Sequence, residues 1–216
     1  MASTALLRQK MFRYRNDDGD QLAATWPLDT NIQQPNIQVG APGRVRFAVE
    51  EYAGKSARAS SFALICRVNG GTWYPAGDAN CALKLFDSVH VVGSPGTTQQ
   101  LSAPDAFTVG ELTDVNSTPS SITIVSNTTC EFETCLELDF DKYGSVYTDN
   151  DTLDFGIAFS DMTLLDEYTA VPATAVTPVT QFSKMFLGGQ KVNAFNVADT
   201  PVQRMYLGEQ EVFRNL

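Results

Sequence analysis

No window of twelve or more residues in this chain holds a 3.6-residue apolar period free of glycine, proline and β-branched interruptions. An amphipathic helix requires that period. Short apolar or alternating runs recur instead along the whole length, separated by NDDGD at 16–20, NGG at 69–71, SPG at 94–96, STPSS at 117–121 and TDND at 148–151. Each separator is turn chemistry: glycine reaches positive φ, proline fixes φ, and Asn, Asp and Ser bond their own backbone. Many short strands at this spacing indicate packed sheets and not βαβ units. The predicted fold is all-β, an antiparallel β-sandwich of jelly-roll or immunoglobulin-like type with a small C-terminal β-hairpin repeat unit.

The strands expected from this pattern cover residues 11–14, 23–26, 44–50, 62–68, 72–75, 82–86, 89–92, 99–101, 122–125, 130–140, 152–159 and 175–179. Alternation assigns their faces. In CEFETCLELDF, Glu131, Glu133, Cys135, Glu137 and Asp139 share one face, and Cys130, Phe132, Leu136, Leu138 and Phe140 share the other. The acidic face is expected to meet water. In VRFAVE, Val45, Phe47 and Val49 alternate with Arg44, Arg46 and Glu50 by the same half-buried logic. The NGG between Val68 and Trp73 reads as a hairpin turn.

The last thirty residues repeat themselves. KMFLGGQKVNAF and RMYLGEQEVFRNL align on their glycines, matching Met185 with Met205, Phe186 with Tyr206, Leu187 with Leu207, Gly188 with Gly208 and Val192 with Val212, and Phe213 follows in the second copy. Each copy describes a tight hairpin with Gly188 or Gly208 at the turn. A unit of roughly 33 residues buries too little apolar area to stand alone. It either completes its own sandwich or docks on another subunit, and the residues just named are the expected assembly contact. The implied organisation is an arm at 1–10, a sandwich at 11–172, a Pro/Thr-rich linker or edge strand at 173–183, and the repeat at 184–216.

A formal charge of −10 argues against nucleic acid or an anionic membrane surface as a partner, because either needs a clustered positive face. No run approaches the eighteen apolar residues of a membrane helix, and the opening MASTALLRQKMFRYR lacks the basic-then-apolar order of a signal peptide. A soluble chain made in a cytoplasm is expected. Cys66, Cys81, Cys130 and Cys135 are too few and too irregular for a disulfide framework or a zinc site, and read as reduced small hydrophobes.

Catalytic constellations are weak. His90 has Ser88 and Ser94 near it in sequence, but no GxSxG, HExxH or phosphate-loop motif accompanies them. Asp17, Asp18 and Asp20, and again Asp149, Asp151 and Asp154, could gather oxygens around a cation, although neither follows the EF-hand pattern. Carboxylates at Glu131, Glu133, Glu137 and Asp139 could in principle pair for glycoside hydrolysis. Trp26, Trp73 and Tyr74 would suit sugar stacking if exposed together, and are otherwise core residues. The expectation is a protein without enzymatic activity, cofactor or bound metal. The sequons at Asn116, Asn127 and Asn150 matter only in a eukaryotic secretory setting.

FRYRNDDGDQLAATWPLDTNI, VRFAVE, NGGTWYP, TTQQLS, FTVGELTD, TCEFETCLELDF and DNDTLDFGI occur in that order between residues 11 and 172. This succession resembles a family of tailed-bacteriophage particle proteins, and the terminal YLGEQEVF resembles short YLGxxxVW-type repeats of phage head and tail proteins. Phe213 stands where Trp is commoner, and Cys130 where the family often has Glu. The resemblance implies a non-enzymatic virion protein, either a capsid decoration or head-fibre protein or a tail component that could bind a receptor or carbohydrate. The partners it implies are major capsid or tail proteins and further copies of the chain, in closed symmetric rings or trimers.

Overall fold

The computed structural model describes residues 4–34, 36–37, 42–57, 59–102 and 106–176, and the strand segments 186–187, 190–191, 204–207 and 210–214. The chain divides into two units, Met1–Pro178 and Val179–Leu216. Described strands of the first unit are β1 (Leu7–Arg15), β2 (Asn36–Ile37), β3 (Gly43–Glu51), β4 (Phe62–Val68), β5 (Tyr74–Pro75), β6 (Leu83–Leu85), β7 (Phe107–Thr108), β8 (Leu112–Thr113), β9 (Thr129–Leu138), β10 (Thr152–Phe159), β11 (Glu167–Tyr168) and β12 (Ala173–Val176). Those of the second are β13 (Phe186–Leu187), β14 (Gln190–Lys191), β15 (Arg204–Leu207) and β16 (Gln210–Arg214). Among the described residues the helical content is a single 3₁₀ turn, Phe140–Lys142.

The first unit is a β-sandwich. One sheet runs in the order β11-β1-β3-β9-β6, with β7 and β8 also paired to β9; the other runs β2-β12-β10-β4-β5. All pairings among the long strands are antiparallel, as expected. Two-residue strands depart from that expectation: β11 on β1, β2 on β12, and β7 and β8 on β9 are parallel, so both sheets are mixed at their margins.

Alternation builds the core between the sheets. Phe12, Phe47 and Phe132 lie opposite one another across β1, β3 and β9. From the facing sheet, Phe62 brings its ring to 4.4 Å from that of Phe132. Leu64 and Cys66 on β4 and Leu153, Phe155 and Ile157 on β10 fill the remainder, all buried. Each large side chain so buried contributes about 1.5–3 kcal/mol.

The expected strands at 62–68 and 152–159 coincide with β4 and β10. β1 begins at Leu7, so residues 7–10 are strand and not arm, and β12 likewise makes 173–176 part of the sandwich. Four expected strands are absent. At 23–26 the backbone is held in turns, because Asp20 accepts from Leu22 N and Ala23 N and Asp18 from Thr25 N. Such local bonding competes with a ladder. At 89–92, Val89 and Val92 are each 87% exposed with only Val91 buried between them. At 99–101 the N–H groups of Gln100 and Leu101 go to a side chain of β9. At 122–125 only a bridge from Ile122 to Ser60 forms.

The second unit contains two hairpins of matching register. Leu187 pairs with Gln190 and Leu207 with Gln210, leaving two residues to connect the strands in each copy. In the second, Met205 pairs with Phe213 and Tyr206 with Glu211, so Val212 is an extra residue in the ladder. Met185, Gly188, Val192 and Gly208 lie outside the described residues.

Candidate functional site

The densest chemistry in the first unit lies on the face of β1, β3 and β9 that points away from the core. With Phe12, Phe47 and Phe132 turned inward, alternation puts Arg13 and Arg15, Arg44 and Arg46, and Glu131 and Glu133 together on the opposite face. Register sets Arg46 directly across from Glu133. The Glu133 carboxylate accepts from Arg46 Nε at 2.6 Å, Arg15 Nη1 at 2.9 Å and Arg44 Nη1 at 3.3 Å. Arg44 also donates through Nε to Asp17 Oδ1 at 2.7 Å, and Ser88 Oγ donates to the same oxygen at 2.6 Å.

Glu131 is held mainly by backbone. It accepts from the N–H groups of Gln100 (2.9 Å), Leu101 (2.7 Å) and Ser102 (3.1 Å), from Ser102 Oγ (3.2 Å), and from Arg46 Nη1 (3.3 Å). Three guanidiniums thus face the three carboxylates of Asp17, Glu131 and Glu133. Side chains of Arg15, Arg44, Arg46, Glu131 and Glu133 are all 0% exposed. Burial pulls the Arg15 guanidinium below its ordinary value, against the attraction of Glu133. The expectation that this acidic face meets water is therefore wrong at Glu131 and Glu133. It holds better toward the end of β9, where Glu137 and Asp139 pair with the partly exposed Lys84 at 3.2 and 3.5 Å.

Two loop segments cover the network. Thr97 Oγ1 donates to the Glu131 carbonyl at 2.5 Å, and Arg46 Nη1 donates to Thr98 O at 3.0 Å. Gly110 approaches β9 so closely that a Cβ there would lie 1.9 Å from the Glu131 carbonyl oxygen. Trp26 closes a side of the cluster: the guanidinium carbons of Arg15, Arg13 and Arg46 lie 4.5, 4.7 and 5.7 Å from its ring centroid. With carboxylates saturated by N–H and O–H donors, the arrangement fastens loops to a sheet.

The other candidates are dispersed. Ser88 Oγ accepts from the His90 backbone N–H at 3.2 Å while donating to Asp17, and Ser94 Oγ donates to Thr118 O at 3.3 Å. Asp18 and Asp20 serve the turn between Asn16 and Thr25. Asp149 accepts from Tyr143 Oη, Asp151 from Thr148 and Asn69, and Asp154 from Arg67. Among the described residues no group of His, Cys, Asp or Glu is arranged to hold a metal ion. Trp73 carries the Arg67 guanidinium at 4.5 Å and stacks on Tyr168 at 6.0 Å, while Tyr74 packs against the core. A shallow open depression lies beside it, lined by Val68, Thr72, Tyr74, Asn80, Ser145 and Val146.

Sequence reasoning missed the joint role of Arg15, Asp17, Arg44, Arg46, Ser88 and Gln100. A signal was present: FRYR and RVRF alternate basic residues with apolar ones, and CEFE alternates acidic ones at the same period. The segments FRYRNDDG, ATW, VRFAVE, TTQQLS and CEFETC, separate in sequence, meet in this one network. Neither a comparison with protein-family models nor one with curated proteins finds a match to this chain.

Proposed function

We propose that this chain is a non-enzymatic structural protein of a tailed-bacteriophage particle, a decoration or head-fibre protein on the capsid exterior. In this reading the first unit is the exposed body, and the second contributes attachment or subunit contact to capsid proteins or further copies. The matching hairpins carry it: Leu187 with Gln190 and Leu207 with Gln210 close two copies of one minimal ladder. A two-stranded hairpin is marginal in water and gains stability from a surface to lie on. The sequence resemblance to phage particle proteins points the same way. The ion network gives FRYRNDDG, ATW, VRFAVE, TTQQLS and CEFETC of that resemblance a scaffold role, which suits a building block. A tail-borne sugar-binding role would need open aromatic faces, and Trp26 and Trp73 both carry guanidiniums.

Deleting residues 183–216 tests the proposal. The truncated chain should unfold cooperatively like the full-length protein, yet fail to join particles assembled in its presence. A truncated chain that loses cooperative unfolding, or one that joins particles at the full-length level, refutes it.

A further inference from the structure

We propose that Cys66 and Cys81 are the site of a reversible intramolecular disulfide that staples the two sheets together. Cys66 lies in β4 of one sheet, paired across the ladder with Phe155 of β10. Cys81 lies two residues before β6, which belongs to the other sheet through β9. Their Sγ atoms are 2.7 Å apart, both free and both buried, at 0% and 1% exposure. A disulfide needs about 2.05 Å, so the sulfurs have only roughly 0.7 Å left to close. Cys130 and Cys135 offer no such option with each other: five residues apart on the extended β9, they are separated by about 16 Å at strand rise.

The surroundings favour the reaction. Cys81 N donates to Asp78 O at 3.2 Å and Leu83 N to Cys81 Sγ at 3.5 Å, which fixes the thiol toward Cys66. The hydrogen bond between the thiols makes Cys66 the easier of the two to ionise and Cys81 the harder. Cys81 also ends a turn in which Gly77, Ala79 and Asn80 are exposed, so local opening of that turn uncovers the pair.

With a small disulfide such as oxidised glutathione as oxidant, the Cys66 thiolate attacks one sulfur and breaks the glutathione S–S bond, releasing the first glutathione thiolate. Cys81 then gives up its proton and attacks the Cys66 sulfur of the mixed disulfide, releasing the second. Two protein thiols are oxidised and one glutathione disulfide is reduced to two thiols. Such a bond is absent in a reducing cytoplasm and forms after exit to oxidising surroundings.

The test uses the full-length protein. Reduced protein is refolded from denaturant without oxidant, then incubated with oxidised glutathione, alkylated under denaturing conditions, and digested without reduction for mass spectrometry. The proposal expects two alkylated cysteines, Cys130 and Cys135, and a cross-linked peptide joining Cys66 to Cys81. It also expects a thermal midpoint raised by roughly 6–12 °C over the reduced form, the shift appropriate to closing a loop of this length. Four alkylated cysteines after that incubation, a cross-link through any other pair, or a midpoint no higher on oxidation each overturns it. A Cys81→Ala variant lacks the resolving thiol, so it should keep Cys130 and Cys135 alkylated, show no internal cross-link, carry on Cys66 either the alkyl group or glutathione, and show no oxidation-dependent rise in midpoint.

Discussion

Replacing Glu133 with Gln removes one negative charge from a balanced cluster while leaving its shape almost unchanged. The wild-type carboxylate accepts from three guanidiniums and is fully buried, so the variant leaves three buried cations facing two carboxylates. If the amide oxygen takes the position that serves Arg15 and Arg46, its NH₂ group confronts the Arg44 donor. Breaking one side of a buried ion pair costs about 3–5 kcal/mol, and an excess guanidinium among three places the expected loss near 4 kcal/mol. With a urea m-value of about 2.5 kcal/mol/M for a domain of this size, the midpoint should fall by roughly 1.5 M with m unchanged. The control is Glu137→Gln, the same chemical change on the same strand, where the partner is the partly exposed Lys84 and the loss should stay below about 1 kcal/mol. The difference should survive 0.5 M salt, since buried pairs are little screened. Equal losses in the two variants would refute the network's role and restore the reading of this face as solvated surface.

Glu51 and Gly110 give two further tests. Burial opposes ionisation of Glu51, but backbone N–H donors from Asn127, Lys55, Ala53 and Leu6 outweigh it and hold its carboxyl below the ordinary value. The sign follows: its contribution is complete above the unfolded value near 4.5 and is lost as pH falls through the lower folded value. Urea midpoints measured from pH 6 to pH 3 should therefore decline less steeply in Glu51→Gln than in wild type, and parallel curves would exclude this linkage. Gly110→Ala must displace either the loop or β9, because its Cβ meets Glu131 O at 1.9 Å and Glu131 C at 2.8 Å. It should cost about 3 kcal/mol or more by thermal or urea unfolding, whereas Gly43→Ala, with nothing within 4 Å of its Cβ, should be nearly silent.

What the sequence disclosed follows from the range of the interactions involved. β4 and β10 are legible because their apolar residues alternate without interruption, and this local pattern also fixes which side chains share a face. Alternation also grouped Glu131 with Glu133 correctly. It could not tell what covers them, because the cover arrives from residues 98–102 and from Arg15, 118 positions away from Glu133. The stretches 23–26 and 99–101 misled for a related reason. Their β-like composition serves a cation–π contact at Trp26 and a row of N–H donors aimed at Glu131, neither of which leaves a periodic trace. Cys66 and Cys81 are buried, as their apolar settings suggest, but their approach across the sandwich depends on the fold of both sheets.

Among the described residues, both sheets end in short strands. β11, β2 and β5 have two residues each and β6 has three, while the far edge of β9 is divided among β6, β7 and β8. An intruding strand that paired with one of these terminal strands would find two or three residues of ladder, too few to propagate a continuous sheet. These terminal strands therefore offer another copy of the first unit little ladder to extend.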